Sequence, residues 1–386
     1  MKIAIVSPYD WCVEGGVKSH IAHLAEYFRD WGHEVSIFAP ASEPDSVKDQ
    51  VTVMGKPWPM RVSGSVARIT FAWKSPEVKS VLEEGHFDVV HLHEPLMPLL
   101  PYHFLRYSTS ATVGTFHAAK DGGNRFYGYT TPFTRRWFRK LEGKIAVSPA
   151  AVSLVSRYFA GYFNIIPNGI DYEHFSAAAE PLAEFDDGKQ NVLFVGRPEK
   201  RKGLKYLLRA YLRVRSQVPN TRLIVVGAGD FSRYERLMSS FEDVVFRPNV
   251  PYADLPRYYR AATVFCCPNT GNESQGYVLL EALAAGRAVV ASNIEGFAGV
   301  MTDEEEGLLV KPKDPDQLAT AIVRLLKNPR LRAEFGKRGQ ALARHYSWDH
   351  VAHRVMSYYE RILYEHKQVA ASRAARKPVV AVRTDA

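Results

Sequence analysis

Two glutamates, a histidine and a short run of cations are the residues of this sequence best fitted to chemistry. Residues 272–282 read Asn272-Glu273-Ser274-Gln275-Gly276-Tyr277-Val278-Leu279-Leu280-Glu281-Ala282, with seven residues between the two glutamates. At about 3.6 residues per turn, that spacing brings Glu273 and Glu281 near one face of a helix. If the helix starts near Ser274, Glu273 lies in the loop before it and Glu281 two turns inward. Carboxylates so placed accept hydrogen bonds from sugar hydroxyls, and the backbone amides of 275–277 can bind a phosphate at the helix start. The apolar neighbours Val278, Leu279, Leu280, Ala282 and Leu283 speak against a merely solvated Glu281.

A second constellation is Gly196-Arg197-Pro198-Glu199-Lys200-Arg201-Lys202-Gly203, four cations within six residues between an apolar run and a helical pattern. Cations at the positive end of a helix dipole suit a diphosphate. No Gly-Lys-Ser/Thr follows, which excludes a Walker loop. Near the N-terminus, Glu14-Gly15-Gly16-Val17 opens a helix with two adjacent glycines, letting backbone amides approach an anion. Thr115-Phe116-His117 ends an apolar run, so His117 stands where a strand delivers ligand contacts. His91-Leu92-His93-Glu94 puts two histidines on one strand face, but no further spacing completes a metal site, so strand-end packing is expected. Asp314-Pro315-Asp316 reads as a helix cap, and Gly227-Ala228-Gly229 as a loop turn.

The elements that must position these groups alternate between two kinds. Apolar runs are expected as strands at 2–6, 35–39, 89–92, 112–116, 144–147, 164–166, 192–195, 223–226, 244–246, 264–267 and 288–291. Helical periods fall at 16–31 and 204–214. The unit strand, loop, helix, strand occurs in both halves, as in doubly wound parallel sheets. The fold class expected is α/β, with two Rossmann-like domains facing across a cleft. The first covers 1–171, a linker 172–190, the second 191–347, a C-terminal helix 348–368 returns to the first domain, and a basic tail 369–386 is expected to be disordered. Such sheets bind ligands at the carboxyl ends of their strands.

The chain has 386 residues, 46% of them hydrophobic and 24% charged, which excludes a disordered, collagenous or coiled-coil protein. No run approaches the roughly 18 apolar residues of a membrane span. The opening residues run too soon into Pro8 and Asp10 for a signal peptide, and three cysteines form no framework, so a cytoplasmic location is expected. The net charge of +9 arises in the second half and the tail. The cations gather at one loop instead of forming a stripe interleaved with aromatics, which disfavours a nucleic-acid partner.

Taken in order, Gly15-Gly16, His117, Arg197 with Lys202, and the Glu273–Glu281 spacing resemble the retaining glycosyltransferases of the two-Rossmann-domain (GT-B) class, family 4. The resemblance covers about residues 1–365. Pro8-Tyr9, Gly64-Ser65-Val66-Ala67-Arg68, His91-x-His93-Glu94-Pro95 and Thr115-Phe116-His117 are similar to the phosphatidylinositol mannosyltransferases of actinobacteria. This implies a GDP-mannose donor, no cofactor and no metal requirement. By the same resemblance Arg197 and Lys202 bind the diphosphate, Glu281 the ribose and Glu273 the sugar hydroxyls. Gly15 and Gly16 lie against the phosphate, and His117 between donor sugar and acceptor. Gln275, Gly276, Tyr277 and Val250 complete the donor side, Val250 beside the base. Tyr9, Ser65 and Arg68 complete the acceptor side, around an inositol phospholipid. Two departures fall there: Val62-Ser63 replaces the family's Tyr-Asn, and residues 77–84 are mixed to acidic where the family's membrane-facing helix is basic.

A lipid acceptor implies peripheral contact with the inner face of the cell membrane. Residues 133–141 carry an apolar stripe at Phe133, Trp137, Phe138 and Leu141 opposite Arg135, Arg136, Arg139 and Lys140. They fit an interfacial amphipathic helix or an ordinary surface helix that buries its stripe.

Overall fold

Strands buried on both faces require continuous apolar runs, and the chain supplies two sets of them. The computed structural model describes residues 1–62, 65–70, 75–180 and 182–375, leaving aside the side chains of 58–62, 65–70, 75, 374 and 375. In chain order the first half forms β1 (Lys2–Val6), β2 (Glu34–Ala39), β3 (Thr52–Val53), β4 (Pro57–Val62), β5 (Ser65–Thr70), β6 (Val89–His93), β7 (Ala111–Phe116), β8 (Gly143–Ala146) and β9 (Asn164–Ile165). The second forms β10 (Gln190–Val195), β11 (Thr221–Gly227), β12 (Val244–Pro248), β13 (Val264–Cys267), β14 (Val289–Ser292) and β15 (Gly307–Val310).

The first sheet has seven strands in the order β3-β2-β1-β6-β7-β8-β9, and the second six in the order β12-β11-β10-β13-β14-β15. Every pair in both sheets is parallel, while β4 and β5 form a separate antiparallel hairpin. The two doubly wound domains expected from the sequence are therefore the observed architecture. The strand order reverses at β1/β6 in one sheet and at β10/β13 in the other, and crevices for ligands open at the carboxyl ends of such pairs. The strands that sequence reading omitted are β3, β15 and the hairpin; β3 has only two residues, too few to register as an apolar run.

The C-terminal helix, Trp348–Ala375, crosses back and joins the core of the first domain. Its Val355, Tyr359 and Ile362 are buried with Ile3, Phe28 and Val113. The tail expected to be disordered from residue 369 is thus helical as far as Ala375, because the pattern of good helix formers in 368–375 continues the preceding turns. Residues 376–386 lie outside the described ones. The return is pinned where the chain crosses: Ile170 N donates to Tyr346 O at 2.8 Å and Trp348 N to Ile170 O at 3.1 Å. Asp314 caps its helix as expected, accepting from the amides of Asp316 and Gln317 at 3.1 and 3.0 Å.

Candidate active site

The second domain brings its charged groups together at the ends of β10 and β13. Glu273 Oε2 accepts from Lys202 Nζ at 2.6 Å, Asn269 Nδ2 at 2.7 Å and Arg201 Nη1 at 3.1 Å. Burial alone would raise this carboxyl, but Lys202 and then Arg201 outweigh it and hold the pKa below the usual range. Charge-assisted bonds of this kind are short and strong, and they fix both cations at the mouth of the strand pair. Arg201 stands in the sequence as one of the loop's four cations without a role of its own, and Asn269 carries no motif. Arg201 is turned inward by Glu199, whose Oε2 accepts from its Nε at 2.7 Å. Arg197, expected beside Lys202, is 57% exposed and pairs with the other oxygen of Glu199. The structure does not bring it to Glu273.

Gly203 explains why this loop lies so close to β13. Its φ is +74°, and a Cβ there would stand 1.8 Å from the carbonyl oxygen of Pro268. Only glycine permits that approach.

The helix after Glu273 begins at Tyr277, not near Ser274, and runs to Ala284. Gly276, at φ +83°, turns the chain into it. Glu281 is therefore about one turn in, not two, and it is buried. Tyr259 OH donates to its Oε2 at 2.7 Å. Burial pushes Glu281 up to about 7, with Tyr259 and then Lys202 working against the rise. The folded protein thus favours the protonated carboxyl, whereas the unfolded chain titrates near 4.5. This contribution to stability is complete below about 4.5 and is lost as pH rises through about 7. On chemical denaturation, wild type loses on the order of 3 kcal/mol between pH 4.5 and 8 from this group, and Glu281→Gln removes that slope.

Glu281 faces a cavity of about 240 Å³ between the domains, shared with Gly15, Gly16, Tyr252 and Tyr277. The helix Gly16–Asp30 starts here without a side-chain cap, leaving its first amides to the cleft. Tyr277 OH donates to Gly16 O at 3.2 Å, and a Cβ on Gly16 would meet the Tyr277 ring at 2.9 Å. The side chain of Gln275 clips the domains together, accepting from Asn168 N at 2.8 Å and donating to Asn168 O at 3.1 Å. Val250 is half-buried against the second domain's core, just past β12. Two residues on, Tyr252 stacks on His174 with centroids 4.8 Å apart.

Across the cleft, His117 follows β7. Glu94, at the end of β6, holds it there: Oε1 accepts from the amides of His117 and Ala118 at 2.8 and 2.9 Å, and Oε2 from Tyr127 OH at 3.2 Å. Glu94 has φ +48°, uncommon for this residue type, which aims its buried side chain back under the strand end. His93 Nδ1 lies 2.8 Å from His117 Nε2, and His91 is bonded instead to Thr115 Oγ1 at 2.6 Å and Tyr359 OH at 2.5 Å. The two strand histidines touch, with ring centroids 4.3 Å apart, but their polar partners differ: His91 bonds inward to Thr115 and Tyr359, and His93 faces His117. Burial lowers His117 to about 4, leaving a neutral ring at physiological pH. Glu94→Ala strands two backbone donors and displaces His117. Turnover falls by about 10²-fold while donor KM stays near wild type, and Glu94→Gln, which keeps an acceptor, recovers most of the rate.

Tyr9 is half-buried beyond β1, its phenol raised first by burial and then by the Glu94 carboxylate. Ser65 and Arg68 stand on β5, and their side chains lie outside the described residues; so does Ser63. The stripe expected over 133–141 divides in the structure. Phe138 and Leu141 are buried in the first domain's core, Trp137 leans on Tyr102, and Phe133 is 79% exposed. The helix runs Arg125–Phe138, and Arg125, Tyr129, Pro132, Phe133 and Arg136 share its outer face, all exposed. No helix among the described residues is long and apolar enough to cross a membrane.

Two family models match: Glycosyltransferase Family 4 over residues 14–174 and Glycosyl transferases group 1 over 180–342. The chain is 37% identical over 369 residues to a phosphatidyl-myo-inositol mannosyltransferase of Mycolicibacterium smegmatis, covering 94% of each chain. It is 38% identical over 375 residues to the protein of the same name from Mycobacterium tuberculosis, covering 94% of this chain and 97% of that one. Among solved structures, Anabaena Alr3699/HepE in complex with UDP and glucose superposes with a TM-score of 0.71 at 18% identity, over 94% of this chain and 100% of that one. At that identity the likeness is one of fold.

Proposed function

The chain belongs to the glycosyltransferase family 4 enzymes that include the phosphatidyl-myo-inositol mannosyltransferases, and from that premise we propose that it moves mannose from GDP-mannose to a phosphatidylinositol-type lipid. Transfer retains the α configuration and takes place at the cytoplasmic face of the membrane. The observation that carries the reading is the half-buried Lys202–Arg201–Glu273 cluster at the ends of the second domain's strands.

The site's tasks follow from charge. As the sugar–phosphate bond breaks, negative charge grows on the diphosphate, and preorganised cations and helix-start amides lower the barrier most. Lys202, Arg201, the amides opening at Gly16 and those at Tyr277 supply that stabilisation without a metal ion. Glu273 holds the sugar hydroxyls once the cations turn toward phosphate, and Glu281 faces the ribose. The neutral ring of His117 hydrogen-bonds the sugar or the acceptor. The acceptor oxygen attacks from the face the diphosphate leaves, forming the new C–O bond, and a phosphate oxygen takes its proton. Parting and closing of the domains about the Ile170 crossing admits the donor and excludes water. Tyr129 and Phe133 enter the lipid interface, with Arg125 and Arg136 meeting anionic headgroups.

The test is nucleoside diphosphate release from GDP-mannose, UDP-glucose and other sugar nucleotides, with and without phosphatidylinositol vesicles. Release from GDP-mannose only with the inositol lipid supports the whole reading. Release with another acceptor keeps the transferase and removes the inositol lipid, the outcome toward which the acidic stretch 77–84 leans.

A further inference from the structure

Three histidines from three separate elements meet under the floor of the cleft. His20 comes from the first helix, His93 from the end of β6, and His117 from just past β7. Each offers one ring nitrogen, and these nitrogens lie within 4.8 Å of one another. The rings of His20 stand 5.4 and 5.1 Å from those of His93 and His117, edge-on to both. A tetrahedral zinc ion binds imidazole nitrogen at about 2.0–2.1 Å, which sets its ligand atoms a little over 3 Å apart. To take the ion, the 2.8 Å hydrogen bond between His93 Nδ1 and His117 Nε2 opens and the rings turn so that each presents a nitrogen to the centre.

A second observation points the same way. His20 Nδ1 and His93 Nε2 are buried and have no hydrogen-bond partner. Buried polar atoms are nearly always satisfied, and an orphaned ring nitrogen is a lone pair or a proton without a counterpart. The surroundings hold the cluster firmly. Trp348 meets the outer side of His20 at 5.4 Å, His91 backs His93 at 4.3 Å, and Glu94 fixes the backbone of His117. His117 alone of the three is only partly buried, so a fourth position opens toward the cleft.

We propose that His20, His93 and His117 form a site for a divalent transition-metal ion of the zinc class, and that the ion inhibits the enzyme by taking His117 out of reach of its substrates. Three imidazoles select zinc, cobalt, nickel or copper over magnesium and calcium, which prefer oxygen ligands. The open fourth position takes water or an oxygen of a phosphate in the cleft. On the proposed function the cations around Glu273 meet the diphosphate, so the ion at this site has no catalytic part.

The experiment uses the full chain, first stripped with a chelator. Zinc is titrated against a chromophoric competitor, and cobalt is followed by its visible absorption, which is intense only in a tetrahedral site. The expected result is one ion per chain with a tetrahedral cobalt spectrum, and binding at least about tenfold weaker in both His93→Gln and His20→Gln. Thermal unfolding checks that each variant folds; His20→Gln, on an amphipathic helix, serves if His93→Gln does not. Zinc also suppresses donor turnover, EDTA restores it, and the half-inhibiting concentration rises in parallel in His20→Gln. Absence of stoichiometric binding, an octahedral cobalt spectrum, or binding unchanged in the folded variants overturns the proposal. The binding readout needs neither donor nor acceptor, so its failure leaves the transferase reading intact.

Discussion

Replacing Lys202 by alanine lowers the rate of donor cleavage at saturating sugar nucleotide by about 10²–10³-fold, roughly 3–4 kcal/mol of transition-state stabilisation. Lys202 is the innermost cation of the cluster, with a side chain 13% exposed and its ammonium 2.6 Å from Glu273. In the variant, Glu273 keeps Arg201 and Asn269, so its charge is not left unpaired and the melting temperature changes little. Lys202→Met preserves the stem and fails equally, which assigns the loss to charge. Glu273→Ala behaves differently. It leaves Lys202 and Arg201 facing each other without their carboxylate, and losing a half-buried charged acceptor costs on the order of 1–3 kcal/mol of stability. Steady-state release of nucleoside diphosphate together with thermal unfolding separates the two variants. Retention of more than about a tenth of wild-type turnover in Lys202→Ala would place the diphosphate elsewhere in the cleft.

Gly203→Ala has an expected cost of about 2–5 kcal/mol from left-handed strain and overpacking together. The new methyl group would collide with the backbone of Pro268, at 1.8 Å from its oxygen and 2.7 Å from its carbon. No rotamer change relieves a clash with backbone. The cation loop must lift from the end of β13, carrying Lys202 and Arg201 away from Glu273. Turnover therefore falls with stability, and denaturant unfolding and activity move together. Gly15→Ala is the control. Its φ of −175° suits any residue and nothing stands within 4 Å of a Cβ, so stability stays within about 0.5 kcal/mol of wild type.

The two sheets were legible because buried parallel strands write themselves as uninterrupted apolar runs, and the β10–β14 series does so almost without exception. The placement of Glu273 and the cation loop was legible for a related reason: both follow such runs directly. What the sequence hid is convergence across long separations. Glu94 and His117 are 23 residues apart, and Arg201 and Glu273 72. No local period reports that a positive φ turns Glu94 under the neighbouring strand. His20 looked like one more residue of an amphipathic helix, since nothing in its neighbourhood says that β6 and β7 will each deliver a histidine to it. The helix start at Tyr277 was misplaced because Ser274 is a good cap by type, whereas Gly276, without any capping side chain, makes the turn. Tyr259, the partner of Glu281, belongs to a different helix and carries no motif.

The return of the last helix has a consequence for synthesis on the ribosome. The first domain's strands are complete by Ile165, but its core also needs Val351, Val355, Tyr359 and Ile362. Those residues emerge only after the whole second domain has been made. At about 5–20 residues per second, the nascent first domain waits on the order of 10–40 s with one apolar flank uncovered. The second domain, whose clusters draw on residues from 170 to 343, can close first. Order of folding thus runs against order of translation, and a chain cut before residue 348 would release a first domain that sticks to chaperones and to copies of itself.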